Sequence, residues 1–152
     1  MQFRFNHMEL TFAPGTLRDS IDDIKAFYGE VFDAKVVDLP LFDGQLSFQI
    51  QLDEYNSQFL VLVETEDYMQ SPGYDHLGML CDSRKDVDAL LSKIRAWQAN
   101  DSRVQIKDYD DFKSERAVTR AFYFKHLLPI WFDVQVIEFK PEHQQSKSWK
   151  FS

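Results

Sequence analysis

The chain has 152 residues, and a hydrophobic fraction of 44% with 15% aromatic residues is sufficient for one compact domain whose core is rich in rings. Its formal net charge of −8 repels phosphate backbones and anionic lipid surfaces, so neither nucleic acid nor a membrane is an expected partner. The single cysteine, Cys81, excludes an internal disulfide, and no stretch resembles a signal sequence or a membrane helix; we therefore expect a cytoplasmic protein.

Residues 3–12 are the first predicted element. His7, Glu9 and Thr11 alternate with apolar residues, which is the period of a strand with one buried face. We therefore expect the histidine and the glutamate to lie on the same polar face of this strand.

A helix and three strands are predicted to follow. Ser20 with Asp23 three positions later is a helix-start signal, and apolar residues at three-to-four spacing continue to Phe32. Strands are then expected at residues 35–39, 45–52 and 58–64, where strand-like runs are separated by turn residues.

The second half of the chain repeats this order. His76 opens a strand, Ser83 and Asp86 repeat the helix-start signal, and an amphipathic helix is predicted to end near Asn100. Three more strands are expected at residues 103–107, 118–125 and 130–138. A strand, a helix and three strands in each half indicate an internal duplication. Residues 140–152 show no periodicity and are predicted to be a C-terminal tail.

Two βαβββ modules with a histidine on the first strand of each resemble the vicinal oxygen chelate superfamily of glyoxalases, bleomycin-resistance proteins and extradiol dioxygenases. The resemblance covers modules 3–64 and 75–138, and implies that they form one domain over residues 1–139. The implied class is α+β, with curled mixed sheets around a cavity and helices outside. It also implies a divalent metal in the cavity, a small-molecule substrate or ligand, and a homodimer.

Carried onto this sequence, the resemblance places metal ligands at His7 and His76, on the first strand of each module. Asp133, on the last strand of the second module, takes the position of the carboxylate ligand. Glu138 is a rival, but its spacing from Asp133 places it on the opposite face of the strand. The last strand of the first module has only apolar residues until Glu64, so three ligands are expected.

Three further residues are candidates for acid/base catalysis. Glu9 shares a strand face with His7, and Tyr123 and His126 lie on and just after the strand before Asp133. Each also has a simpler interpretation, because strand histidines and tyrosines commonly pack or form hydrogen bonds, and a glutamate on a polar face is commonly solvated.

The resulting hypothesis is a metal-dependent enzyme acting on a small molecule with vicinal oxygens. Two histidines and one carboxylate favour an extradiol-type ring-cleaving dioxygenase slightly over a glyoxalase-like lyase. The metal could be Fe, Mn, Ni or Zn. The alternative is a metal-free protein of the bleomycin-resistance type that sequesters an aromatic or cationic small molecule.

Overall fold

The computed structural model describes residues 5–41 and 44–144. Its strands are β1 (His7–Phe12), β2 (Lys35–Asp38), β3 (Ser47–Gln51), β4 (Phe59–Glu64), β5 (His76–Leu80), β6 (Gln105–Asp108), β7 (Phe112–Lys113), β8 (Ala117–Lys125) and β9 (Trp131–Phe139). Its helices are α1 (Thr16–Phe32), α2 (Arg84–Gln98) and a short 3₁₀ helix (Pro141–His143).

The strands form two mixed sheets, one from each half of the chain. The N-terminal sheet has the order β1-β4-β3-β2, and the C-terminal sheet has the order β5-β9-β8-β6 with β7 paired to β8. In both sheets the first and last long strands of the module are parallel, while the remaining neighbours are antiparallel. The predicted α+β class is therefore confirmed. It follows that β1 and β5, the strands carrying the two histidines, each lie at the edge of a sheet.

Each sheet has a helix face, which packs on the helices, and an opposite open face. Leu10, Ile50 and Leu60 lie on the helix face of the N-terminal sheet and are inaccessible to solvent. Burying each of these side chains stabilises the fold by roughly 1.5–3 kcal/mol. Helix α1 joins the modules, because the Phe27 ring lies 5.9 Å from the Phe124 ring of the C-terminal sheet. His7, Glu9 and Asp133 lie on the open faces, whereas Glu64 and Glu138 lie on the helix side.

The start of α1 differs from the sequence prediction. Ser20 is not the N-cap; the helix begins at Thr16, after Gly15 in a left-handed conformation (φ 87°), and the Ser20 hydroxyl donates to the Thr16 carbonyl inside the helix. A carboxylate distant in sequence performs the capping role, since the Arg18 N–H donates to Glu64 Oε1 at 2.9 Å. Tertiary structure therefore supplies a cap that a local pattern does not show.

The start of α2 was predicted correctly. Ser83 is the N-cap, and its hydroxyl oxygen accepts a hydrogen bond from the Asp86 N–H at 3.3 Å. Strand β7 was not predicted, because only two residues pair with β8. Among the described residues, none of the helices has the length and apolar character needed to cross a membrane.

Some predicted segments lie partly outside the described residues. These are residues 3–4 of the first predicted strand, Asp43 in the turn before β3, and residues 145–152 of the predicted tail.

Candidate metal centre

His76 and Asp133 lie together on the open face of the C-terminal sheet. Strand pairing places Asp133 opposite Gly78, and the Asp133 Oδ2 atom is 3.9 Å from His76 Nε2. The other ring nitrogen, Nδ1, is 2.8 Å from the Tyr74 carbonyl oxygen. A carbonyl oxygen only accepts, so Nδ1 carries the proton and donates. The Nε2 lone pair of His76 is therefore available on the side where the carboxylate lies.

The Asp133 carboxylate is buried and only partly satisfied. Its residue is 7% exposed, and its Oδ1 atom has no hydrogen-bond partner. Burial raises the pKa of this carboxyl group, while the nearby His76 and a hydrogen bond with Tyr123 act in the opposite direction. A buried acceptor without a donor is costly, and coordination of a cation would satisfy it.

His7 is oriented in the same manner as His76, on the N-terminal sheet. The Asn6 amide donates from Nδ2 to the Ser57 carbonyl oxygen at 3.0 Å, which directs its Oδ1 atom towards His7. The His7 Nδ1 atom lies 2.7 Å from that Oδ1, so Nδ1 donates and Nε2 keeps its lone pair. The imidazole also stacks on Phe59, with ring centroids 5.1 Å apart. Both histidines therefore present Nε2 as the possible ligand atom.

The three predicted ligands do not converge within one chain. Across residues 5–41 and 44–144, no group of three or more His, Cys, Asp or Glu side chains is close enough together to hold a metal ion. The structure brings His76 and Asp133 together, while His7 remains exposed on the edge of the other sheet. One chain thus contains two parts of a possible centre.

Aromatic rings surround His76 and Asp133. The Tyr123 ring meets the His76 ring edge-on at 5.0 Å, and the Tyr109 ring lies 5.5 Å from Tyr123. Burial, then the negative charge of Asp133 and a hydrogen bond with it, raises the pKa of the Tyr123 hydroxyl. This hydroxyl is therefore protonated at neutral pH and can act as a donor. Trp131, the register partner of His76, packs against Tyr74 with ring centroids 5.4 Å apart.

Glu9 and His126 do not lie beside the His76–Asp133 pair. Glu9 is exposed on the open face of the N-terminal sheet, two residues beyond His7. His126 is on the helix side of the C-terminal sheet, where it is 1% exposed and its ring lies 4.3 Å from the ring of Phe27. The predicted acid/base role of His126 at this site is incompatible with that position.

The other two candidate carboxylates, Glu64 and Glu138, interact with the N-terminal ends of the helices. Glu138 lies 2.9 Å from the Arg84 guanidinium at the start of α2. Glu64 accepts a hydrogen bond from the Arg18 N–H at the start of α1.

The N-terminal sheet has no carboxylate at the position equivalent to Asp133. Glu9 pairs with Val61 in this sheet, and the corresponding pair in the other sheet is Gly78 with Asp133. Val61 therefore occupies the register position of Asp133, and it offers no ligand.

Sequence reasoning did not identify Asn6 or Tyr74 as site residues. Their signal was position, because Asn6 immediately precedes His7 and Tyr74 lies two residues before His76. Position in the sequence alone does not predict that either residue forms a hydrogen bond with the imidazole.

Several solved structures share this arrangement of elements. The fosfomycin resistance protein FosX from Listeria monocytogenes is 17% identical, with a TM-score of 0.64 over 94% of this chain and 96% of that chain. A glyoxylase/bleomycin resistance protein/dioxygenase domain from Frankia sp. is 18% identical, with a TM-score of 0.59 over 94% and 98%. An integron cassette protein from the mobile metagenome of V. cholerae is 14% identical, with a TM-score of 0.56 over 90% and 96%.

These similarities establish the fold. No protein-family model matches the sequence, and no curated protein matches it either. The chain has the fold of the vicinal oxygen chelate superfamily, which confirms the resemblance predicted from the sequence. One FosX structure contains Mn(II) and sulfate, and a FosX variant was solved with Mn(II) and 1S,2S-dihydroxypropylphosphonic acid.

Proposed function

We propose that the protein is a divalent-metal-dependent enzyme that acts on a small molecule with two adjacent oxygen atoms. Its metal centre would take His76 and Asp133 from one chain and His7 from a second copy of the chain. The observation that carries this proposal is the buried Asp133 carboxylate, whose Oδ2 lies 3.9 Å from the oriented Nε2 of His76 and whose Oδ1 has no hydrogen-bond partner.

The atoms of this pair suit a shared cation. Nitrogen and oxygen ligands lie about 2.0–2.2 Å from a metal such as zinc, so two neighbouring ligand atoms at about 90–110° are about 3.0–3.5 Å apart. The 3.9 Å between His76 Nε2 and Asp133 Oδ2 is slightly longer, and a small rotation of either side chain would bring both atoms onto one ion. Imidazole and carboxylate together suit Fe, Mn, Ni or Zn, and the donors alone do not select one of them.

A second copy of the chain can supply the missing histidine. His7 and His76 lie on β1 and β5, which are edge strands and therefore suited to meet another chain. The loop residue Met69 covers the edge of β1 at Thr11, whereas His7 is at the other end of that strand. In a two-fold dimer, one such contact generates two equivalent centres.

The side chains define the chemistry available around the ion. A bound divalent metal would polarise the two adjacent oxygens of a substrate. The Tyr123 hydroxyl, protonated at neutral pH, can donate to a developing negative charge, and Glu9 of the second copy can accept a proton. With Val61 in place of a fourth ligand, three protein ligands favour an extradiol-type dioxygenase over a glyoxalase-like lyase.

Mixing two inactive variants tests the shared centre. His7→Ala and Asp133→Asn should each reduce metal binding strongly as separate homodimers. After the two are unfolded and refolded together, half of the dimers should be mixed, and each mixed dimer should have one intact centre, restoring about a quarter of the sites. Calorimetric titration with Mn(II) measures this recovery; no recovery, alongside a wild type that binds, would show that the centre is not shared.

Metal-free ligand binding is the second candidate. It is favoured by the aromatic open face, where Tyr74 is 52% exposed and Tyr109 is 48% exposed. Metal analysis of protein purified without chelator separates the candidates. Stoichiometric Fe, Mn, Ni or Zn that is lost in the His7→Ala/His76→Ala variant supports the enzyme, whereas a wild type without metal supports the binding protein.

A further inference from the structure

A cavity lies on the side of the sheets away from the candidate metal centre. This inter-sheet cavity has a volume of about 110 Å³ and lies between the helix faces of the two sheets, below the end of α1. Its walls come from both modules and include Tyr28, Phe32, Ile50, Leu60, Met79 and Phe132.

The interior of the inter-sheet cavity suits an apolar group. A buried water needs two to four polar partners, and the only hydroxyl among the lining side chains, that of Tyr28, already donates to the His126 carbonyl oxygen at 3.0 Å. Since a water occupies roughly 30 Å³ in the liquid, the cavity has room for about four heavy atoms. A short alkyl chain is of this size.

The mouth of the inter-sheet cavity has a different character. Phe32, Ala34 and Leu52 line both the cavity and a surface depression of about 380 Å³, so the two spaces adjoin. The charged side chains around that depression are three carboxylates and one ammonium, those of Asp33, Asp53, Glu54 and Lys35. The excess of negative charge favours a cation at the mouth.

We propose that the inter-sheet cavity and its mouth bind a small aliphatic amine, with the alkyl chain inside and the ammonium group beside the carboxylates. The apolar cavity carries this inference, and the charges at the mouth select the head group. The site does not depend on the proposed metal centre, because Met79 and Phe132 face the opposite side of their strands from Gly78 and Asp133.

Three probes with the same alkyl chain test the proposal: butylamine, 1-butanol and butanoate. Methyl NMR titration of the metal-free full chain should show shifts at Ile50, Leu60 and Met79, with about millimolar affinity for the amine. Butanol should bind severalfold more weakly, and butanoate more weakly still. The absence of shifts with butylamine, or equal binding of butanoate and butylamine, would overturn the proposal.

Two types of variant separate the cavity from its mouth. Ala34→Leu fills the cavity and should abolish the shifts from all three probes, and Leu52→Phe serves the same purpose if Ala34→Leu does not fold. Asp33→Asn/Glu54→Gln should keep butanol binding and remove the preference for the amine. Undiminished amine binding in a folded, filled variant would place the amine elsewhere and refute the site.

Discussion

The Nε2 atom of His76 lies 3.9 Å from the Oδ2 atom of Asp133, across two parallel neighbouring strands. The Tyr74 carbonyl fixes the tautomer of the imidazole, and the fold buries the carboxylate, so both groups are positioned before any ligand arrives. This relationship provides the most direct tests of the site.

Replacing Asp133 with Asn should stabilise the metal-free protein while it destroys the centre. The change removes a buried charge that has an unpartnered oxygen, so the free energy of unfolding should rise by about 1 kcal/mol. Stabilisation of the wild type by added Mn(II) should be absent in this variant. Thermal unfolding with and without Mn(II) measures both effects, and the exposed Asp110→Asn change is the matched control. A less stable metal-free D133N protein would contradict the inference of an unsatisfied site.

Replacing Asn6 with Ala should weaken metal binding without removing a ligand. The variant loses the acceptor that holds the His7 Nδ1–H, and loss of such a partner lowers metal affinity about 10–100-fold. Mn(II) titration measures the affinity. Asn100→Ala at the exposed end of α2 is the control, and it should bind as the wild type does; equal affinities for all three proteins would contradict the role of Asn6.

Glu64→Gln should reduce stability in a pH-dependent manner. Partial burial raises the pKa of Glu64, but hydrogen bonds from the backbone N–H groups of Gly15, Arg18 and Leu17 outweigh it and lower the pKa below 4.5. The stabilisation is therefore present above pH 4.5 and is lost as the pH falls through the lowered value. Urea unfolding at pH 7 should show a loss of about 1 kcal/mol, and the difference from wild type should shrink at pH 3. A constant difference at both pH values would refute the charged cap.

His126 should make the protein less stable in mild acid. Burial lowers the pKa of its imidazole below 6.5, against the opposing effect of Asp101, whose carboxylate lies 3.6 Å away. Above pH 6.5 the imidazole is neutral in both states; below it the unfolded chain takes up the proton first, so stability falls. His126→Phe, which keeps a planar ring, should lose less stability than wild type between pH 7.5 and 5.5 in urea unfolding. The exposed His143→Gln change should behave as wild type, and an unchanged pH dependence in H126F would contradict this assignment.

The architecture was predictable because the signals for it are local. Alternation at His7, Glu9 and Thr11 identified the first strand, and Ser83 with Asp86 identified the start of α2. The start of α1 was not predictable in this way, because its cap comes from Glu64, 46 residues away from Arg18. Sequence periodicity carries no information about such long-range hydrogen bonds.

The candidate site was predictable only in part. The period of two placed Asp133 on the face opposite to Phe132, and the structure shows Asp133 beside His76. His126 was proposed from its place just after the strand that carries Tyr123, without regard to the face of that strand. The two residues are an odd number of positions apart, and the imidazole of His126 enters the core on the other side of the sheet.

Glu9 pairs with Val61 in one module, whereas Gly78 pairs with Asp133 in the other. The two halves of the duplication therefore differ in the side chains that they place beside their histidines. One module has a histidine and a carboxylate at these positions, and the other has a histidine and a valine. Val61→Asp would place a carboxylate at the register position that Asp133 occupies in the other module. In the proposed centre, the number of protein ligands, and with it the room left for substrate, would therefore depend on this one hydrophobic side chain.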